Sequence, residues 1–418
     1  MKLTRTSEKL ARSLVNVATK CQMQWDNISE STKNTLYSAI MALFGDMRLA
    51  KKDMERDNNY KQHLIGKRIH TVTDIPKPSS YNSSRFFPET IRRHIESQSL
   101  LHFQRKHIFA LDGKDRSVSL NVVTTSLSSH KSRVESIMNK MLQWLYIGIS
   151  HASSRCGQNL TVYYYDMEHK KVLPNSYADI LSPIHINSAY AHVCAPAGEI
   201  VIYRQEEWFK VFVHETFHAL GLDFATVNTA MFEKQLMSIY NLSIDYNPTE
   251  AYCEAWARII NVAFIAFQAV DYIDNEVEQL ERFSESFIYM LEIERLQAAA
   301  QCNKVLGFMG LTYDMVVNGD KGHAMTSYKE GTSAFSYYVE TAVLLGSFAR
   351  FISHCAKYNL NLFDFRKTPS NMERYTKMYK RLAVSNETKT LMKCVAKNHI
   401  PQRDPHGKSL RMSCFEIQ

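Results

Sequence analysis

The stretch Trp208-Phe-Lys-Val-Phe-Val-His214-Glu215-Thr-Phe-His218-Ala-Leu-Gly221-Leu-Asp223 constrains this chain more than any other. It holds an HExxH string, His214 to His218. On a helix, residues four apart are neighbours on one face, so the two imidazoles can converge on a single cation. Phe212, Val213, Phe217, Ala219 and Leu220 make the rest of the turn apolar, as a buried helix requires. Gly221 supplies a stop directly after it. Two imidazoles and a carboxylate suit Zn²⁺, which takes nitrogen and oxygen ligands tetrahedrally and leaves one position for water. Glu215 follows the first histidine and is placed to hold that water. The competing reading is a core helix with two hydrogen-bonded histidines and a solvated glutamate; the apolar setting favours the metal.

The pattern around the string (apolar, any, HE, any, apolar, H, apolar) resembles the active-site helix of the zincin metallopeptidases. That resemblance implies a third protein ligand. In the zincin branch with HExxHxxGxxH, Gly221 fits, but Phe224 stands where the ligand belongs and Asp223 is one position early. The gluzincin branch takes a glutamate from a second helix, and Asn247-Pro-Thr-Glu250-Ala-Tyr-Cys-Glu254-Ala-Trp-Ala is the candidate. Asn247 as cap and Pro248 in the first position mark that helix start.

Glu250 and Glu254 are four apart and share a face. By resemblance, one binds zinc and the other holds the back of a ligand histidine. Glu250-Ala-Tyr-Cys-Glu254 matches the pattern in which the first carboxylate is the ligand, while Glu254-Ala-Trp-Ala resembles a string that surrounds the ligand in other gluzincins. Glu250 can also be read as the partner of Asn247 in a capping box. Zincins place a tyrosine or histidine where it stabilises the oxyanion of the tetrahedral intermediate. Tyr338, with Tyr337 and His323 as alternatives, is the candidate here. Segments across roughly 186–340 (Arg204 to Val211, Glu250 to Ala257, Phe335 to Tyr338) also resemble zinc-peptidase-like proteins of large DNA viruses. The first hundred residues and the last sixty lie outside that resemblance.

The fold class expected is α+β and zincin-like: a mixed sheet and the HExxH helix in an upper half, an all-helical lower half, and extra N-terminal helices. The ranges are 1–65, helical; 66–99, a Pro- and Ser-rich linker and short helix; 100–225, the upper subdomain; 226–400, the helical lower subdomain carrying the third ligand; and 401–418, a basic tail. His107 to Leu111 and Val118 to Val123 alternate across a turn at Asp112-Gly113 and read as a hairpin. Leu160 to Tyr165 reads as a strand. Ile186–Val193 and Glu199–Tyr203 read as two more, joined at Pro196-Ala-Gly. By resemblance, Asn187–His192 is the edge that pairs with an extended substrate. Glu206 and Glu207 are expected at the start of the motif helix, where acids suit the dipole.

Eight cysteines are scattered without a CxxC pair, which argues against a disulfide framework and fits a reducing compartment. No apolar leader opens the chain, so a cytoplasmic setting, or a virion one, is expected rather than secretion. The longest apolar run, Ile259 to Val270, is short for a bilayer and reads as a buried helix, so no membrane span is expected. Net charge is +8, with 12 Lys/Arg against 5 Asp/Glu after position 360. The leading functional expectation is a zinc-dependent peptidase, an endopeptidase acting on polypeptide substrate with Glu215 as general base. The alternative is a non-catalytic zincin-like structural or packaging protein whose basic C-terminal region meets nucleic acid.

Overall fold

The computed structural model describes residues 3–23, 27–57, 64, 66–111, 114–125, 131–240, 242–319, 321–398 and 407–417. In chain order the first elements are α1 (Arg5–Cys21), α2 (Glu30–Arg56), β1 (Gly66–Arg68), α3 (Glu89–Glu96), β2 (Leu100–Leu111) and β3 (Lys114–Thr125). Next come α4 (Lys131–His151), β4 (Asn159–Asp166), α5 (Pro183–Ile186), β5 (Ala189–Ala191), β6 (Ala197–Ile202) and α6 (Trp208–Leu220). The remainder is helical: α7 (Ala230–Ile239), α8 (Pro248–Val270), α9 (Glu276–Phe308), α10 (Tyr313–Asn318) and α11 (Lys321–Ser327). It ends with α12 (Thr341–Gly346), α13 (Phe348–Tyr358), α14 (Pro369–Val384) and α15 (Asn386–Asn398). The class is α+β. The chain divides into two compact units, a sheet unit (Gly45–Lys171 and Ile186–Thr226) and a helical unit (Met1–Phe44, Val172–His185 and Val227–Gln418).

The sheet unit is built on six strands in the order β1-β2-β3-β4-β6-β5. β2 and β3 are antiparallel, with Leu100 opposite Thr125 and Leu111 opposite Lys114. The turn expected at Asp112-Gly113 lies outside the described residues. β3 and β4 are parallel, and so are β4 and β6. A parallel pair needs a crossover connection, and α4 supplies the first one. Leu160, Val162 and Tyr164 alternate inward along β4 and are all buried.

The stretch 66–88 reads as a linker by its prolines and serines, yet it carries three core anchors. Ile75, Tyr81 and Phe87 join Tyr165, Tyr190 and Tyr203 in one buried cluster. Phe87 stacks on Tyr203 with ring centroids 4.8 Å apart, and both the amide and the hydroxyl of Ser79 donate to the Glu199 carboxylate. Apolar side chains spaced through a polar stretch are enough to fix it when each finds an aromatic partner.

In the helical unit, α8 is long and apolar enough to pass as a span, but 89% of that window is buried within the protein, so it is a core helix. The helical run that ends at Tyr358 is interrupted at Ser347, whose φ is −129° and ψ 46°. α14 and α15 are separated at Ser385, whose ψ of 146° is extended. Residues 407–417, read from composition as part of a basic tail, run through the core of this unit. Leu410, Ser413 and Cys414 are wholly buried. Arg411 is 1% exposed and donates to the Ser413 carbonyl and the Ser7 hydroxyl, so its charge is enclosed rather than offered to a polyanion.

The cysteine expectation is corrected. Cys21 is bonded to Cys394 and Cys156 to Cys194, while Cys253, Cys302, Cys355 and Cys414 are buried free thiols. The bonded pairs are 373 and 38 residues apart, distances at which local spacing says nothing about pairing.

Candidate metal centre

All thirteen residues of α6 are buried, and in the sheet unit the helix packs on β5, β6 and α4. Its start lies where expected, directly after Glu206 and Glu207. Neither Glu206 nor Glu207 lies in the first turn; Glu207 precedes the helix with φ +62°, in the left-handed region. Its carboxylate forms an ion pair with the buried Lys171, whose amide donates to Glu206. Glu207 therefore neutralises a lysine brought in from the loop after β4, while Glu206 ties down the backbone of the same residue. Burial lowers the Lys171 ammonium below its ordinary range, and Glu207 opposes that shift.

The middle of the helix is fixed from α4. Trp144 Nε1 donates to Thr216 Oγ1 at 2.6 Å, and that hydroxyl donates to the Val213 carbonyl at 2.6 Å. The Trp144 ring lies parallel to Phe217, with centroids 6.1 Å apart. The two variable positions of HExxH thus lock the rotation of the helix about its axis.

That rotation sets His214, Glu215 and His218, which are 5, 7 and 7% exposed. The two imidazole centroids are 5.1 Å apart. His218 Nδ1 meets Asp223 Oδ2 at 2.5 Å, and Asp223 Oδ1 accepts the Ala225 amide at 3.0 Å. A carboxylate on Nδ1 fixes that nitrogen as the protonated one and makes Nε2 the lone-pair nitrogen, the tautomer that a metal needs. Asp223, excluded as a ligand on spacing, therefore has a different role. Gly221 makes it reachable: φ of +65° ends the helix and turns the chain back towards His218. Burial drives the phenol of Tyr203, just after β6, above its ordinary value; Arg204 opposes that shift and the nearby Glu215 adds to it.

β5 is the last strand of the sheet, as expected for the Asn187–His192 segment. Tyr203 donates to the Ser188 carbonyl and His192 to that of Glu199, so the residues bonded to β6 are Ser188, Tyr190 and His192. In an antiparallel pair the intervening residues turn their amides and carbonyls outward. Those are Ala189 and Ala191.

In the helical unit, Glu250 lies in the first turn of α8 and Glu254 one turn on, 1% exposed. Asn247 makes no side-chain cap, so the capping-box role for Glu250 is not formed. Tyr338 sits in a π-helical turn, Ser336–Glu340, and its hydroxyl donates to the Leu410 carbonyl at 2.6 Å. It is 2% exposed. Tyr337 is half-buried, and the side chain of His323 lies outside the described residues. No family model, no curated protein and no solved structure matches this chain.

Proposed function

We propose that this protein is a zinc-dependent peptidase of the zincin type. The observation that carries the reading is the Asp223–His218 contact, because a carboxylate on the far nitrogen of a buried motif histidine is how proteins prepare an imidazole for a metal. The donor chemistry fits. His214 and His218 offer two imidazole nitrogens, and the Glu250-Ala-Tyr-Cys-Glu254 pattern assigns Glu250 as the carboxylate that joins them. Two nitrogens and one carboxylate oxygen, with a fourth position for water, is a zinc set. Glu250 is therefore the ligand in this reading.

When bound, zinc would polarise the scissile carbonyl and acidify water. The chain supplies the rest. Glu215 accepts the proton of the attacking water and returns it to the leaving amine. Ala189 and Ala191 offer main-chain groups along which an extended polypeptide can add as a further strand. The Tyr338 proton is engaged by Leu410, so the reading assigns that residue no step.

Elemental analysis of the purified protein tests the site. We expect about one zinc per chain, lost in His214→Ala and in His218→Ala. Stoichiometric zinc surviving both substitutions would overturn it.

A further inference from the structure

We propose that the Cys156–Cys194 disulfide is a redox-sensitive brace on the C-terminal end of the HExxH helix. Its reduction by a dithiol frees that end and, where the zinc reading holds, speeds release of the metal.

Three observations converge on this bond. First, Cys194 donates its backbone amide to the His218 carbonyl at 2.9 Å, so the loop that bears the sulfur closes the last turn of α6. Helix ends leave carbonyls without i+4 partners, and this one takes the capping Gly221 amide at 3.2 Å and, more closely, the Cys194 amide from outside the helix. Second, the sulfurs lie against the helix stop. A Cβ at Gly221 would meet Cys156 Sγ at 2.8 Å and Cys194 Sγ at 3.4 Å. Third, Cys194 holds φ +44°, a left-handed conformation that residues with a side chain seldom adopt. Such a conformation persists only where the surroundings impose it. Here they are the bond to Cys156, the His218 contact, and the neighbouring pairs Gly157 to Ala195 and Asn159 to Pro196 at 2.9 and 2.8 Å.

Cys156 is 1% exposed whereas Cys194 is only half-buried, so the attack falls on Cys194. A thiolate of the dithiol attacks Cys194 Sγ and displaces Cys156 as a thiolate, which takes up a proton. The second thiol of the reagent then attacks the mixed disulfide, releasing the Cys194 thiol and leaving the reagent oxidised to a disulfide. With the bond gone, Cys194 can leave the left-handed region, and its contact with His218 goes with it. The other disulfide, Cys21–Cys394, joins α1 to α15 in the helical unit and serves as an internal control.

Hydrogen exchange on the metal-free full chain, before and after dithiothreitol, tests the brace. Peptides covering 213–224 and 191–197 should lose protection on reduction in the wild type and in C21S/C394S, and regain it on reoxidation. In C156S/C194S they should be unprotected from the outset and indifferent to dithiothreitol. Zinc release from C156S/C194S to a chelator, without reductant, should be faster by about tenfold, the lower end of what loss of an outer support costs a metal site. Unchanged protection in wild-type protein whose Cys156 and Cys194 have become alkylatable would overturn the proposal. So would a response that persists in C156S/C194S, or free thiols at both positions in the oxidised protein. If C156S/C194S does not fold, the reversible wild-type experiment decides. Should the protein bind no zinc at all, the peptidase reading falls while the exchange experiment still judges the brace.

Discussion

Two buried carboxylates, Glu294 in the helical unit and Asp223 in the sheet unit, are both wholly enclosed, and they do opposite things with their charge. Glu294 is saturated. One oxygen takes Arg258 Nε at 2.9 Å and Nη2 at 2.6 Å. The other takes the Ser413 hydroxyl at 2.6 Å and the Cys414 amide at 2.7 Å. A full charge neutralised by a full charge, with both oxygens supplied, pins the 407–417 segment to α8 and α9 and does nothing further. Asp223 instead spends one oxygen on its own turn, through the Ala225 amide, and the other on an imidazole nitrogen. It passes its influence through a ring to an atom that can bind something else. A buried charge that ends on its partner is architecture; one that ends on a histidine of the HExxH string is, in the proposed reading, preparation for chemistry.

The largest effect expected from this contrast is on catalysis. Glu215→Gln should lower peptide hydrolysis by about 10²–10⁴-fold, the usual worth of a positioned general base. Zinc content and unfolding midpoint should stay at wild-type values. Hydrolysis of an unfolded protein substrate at the wild-type rate would remove Glu215 from the mechanism. On the other side of the comparison, Glu294→Ala should cost about 3–5 kcal/mol, because it strands the Arg258 guanidinium in the core. Urea unfolding measures it. A loss well below that range would show that the pair is dispensable to the fold and that the two carboxylates differ little in role.

Next in size is Asp223→Asn. The amide keeps the shape but no longer holds the imidazole by charge, and zinc affinity should fall by about 10–100-fold. Competition with a chromophoric chelator reads this directly, and an unchanged affinity would make Asp223 a helix-stop residue only. Glu254→Gln in the same assay should change affinity less than Glu250→Gln; the reverse order would exchange their roles.

Much of this was open to reading because the relevant signals are local. The HExxH helix, its glycine stop and the strand alternation before it each sit within a few residues, and periodicity of 3.6 or 2 sorts them. Glu250 and Glu254 could be narrowed to one helix face by the same logic. What escaped depended on contacts between distant positions or on a turn of the backbone. Asp223 is only five residues beyond His218, yet its role needs the left-handed Gly221 to bring it back; an acid two residues past a helix-ending glycine was the available signal. The Cys156–Cys194 bond joins a turn after α4 to the β5–β6 loop, and no spacing rule reaches that far. Composition misled at 66–88 and at 407–417. Prolines and serines hid the anchors Ile75, Tyr81 and Phe87, and basic residues hid a segment whose apolar members fill a core.

The effect spread most thinly, over several pH units, concerns a third buried acid, which belongs to neither side of the comparison and so sharpens it. Glu340 closes the π-helical turn that carries Tyr338 and is wholly buried. Ser336 donates to one oxygen at 3.2 Å, and the other oxygen has no hydrogen-bond partner among the described residues. Burial pushes its carboxyl up to about 8; the Ser336 bond opposes this, while Glu330 and Glu233 reinforce it. Unlike Glu294, with its arginine, Glu340 solves its burial by holding a proton. The sign follows. The folded state binds the proton more tightly than an unfolded glutamate near 4.5, so this contribution is complete below about 4.5 and is lost as pH rises towards about 8. A single group changes stability by at most about 1.4 kcal/mol per pH unit, so the slope is the readout. Urea midpoints from pH 5 to 8.5 should decline in the wild type and decline less in Glu340→Gln, which carries the neutral form at every pH. The variant should gain most on the wild type at the alkaline end. Parallel curves for the two proteins would mean that Glu340 is ionised in the folded state at neutral pH, and that its charge is met by a partner as that of Glu294 is.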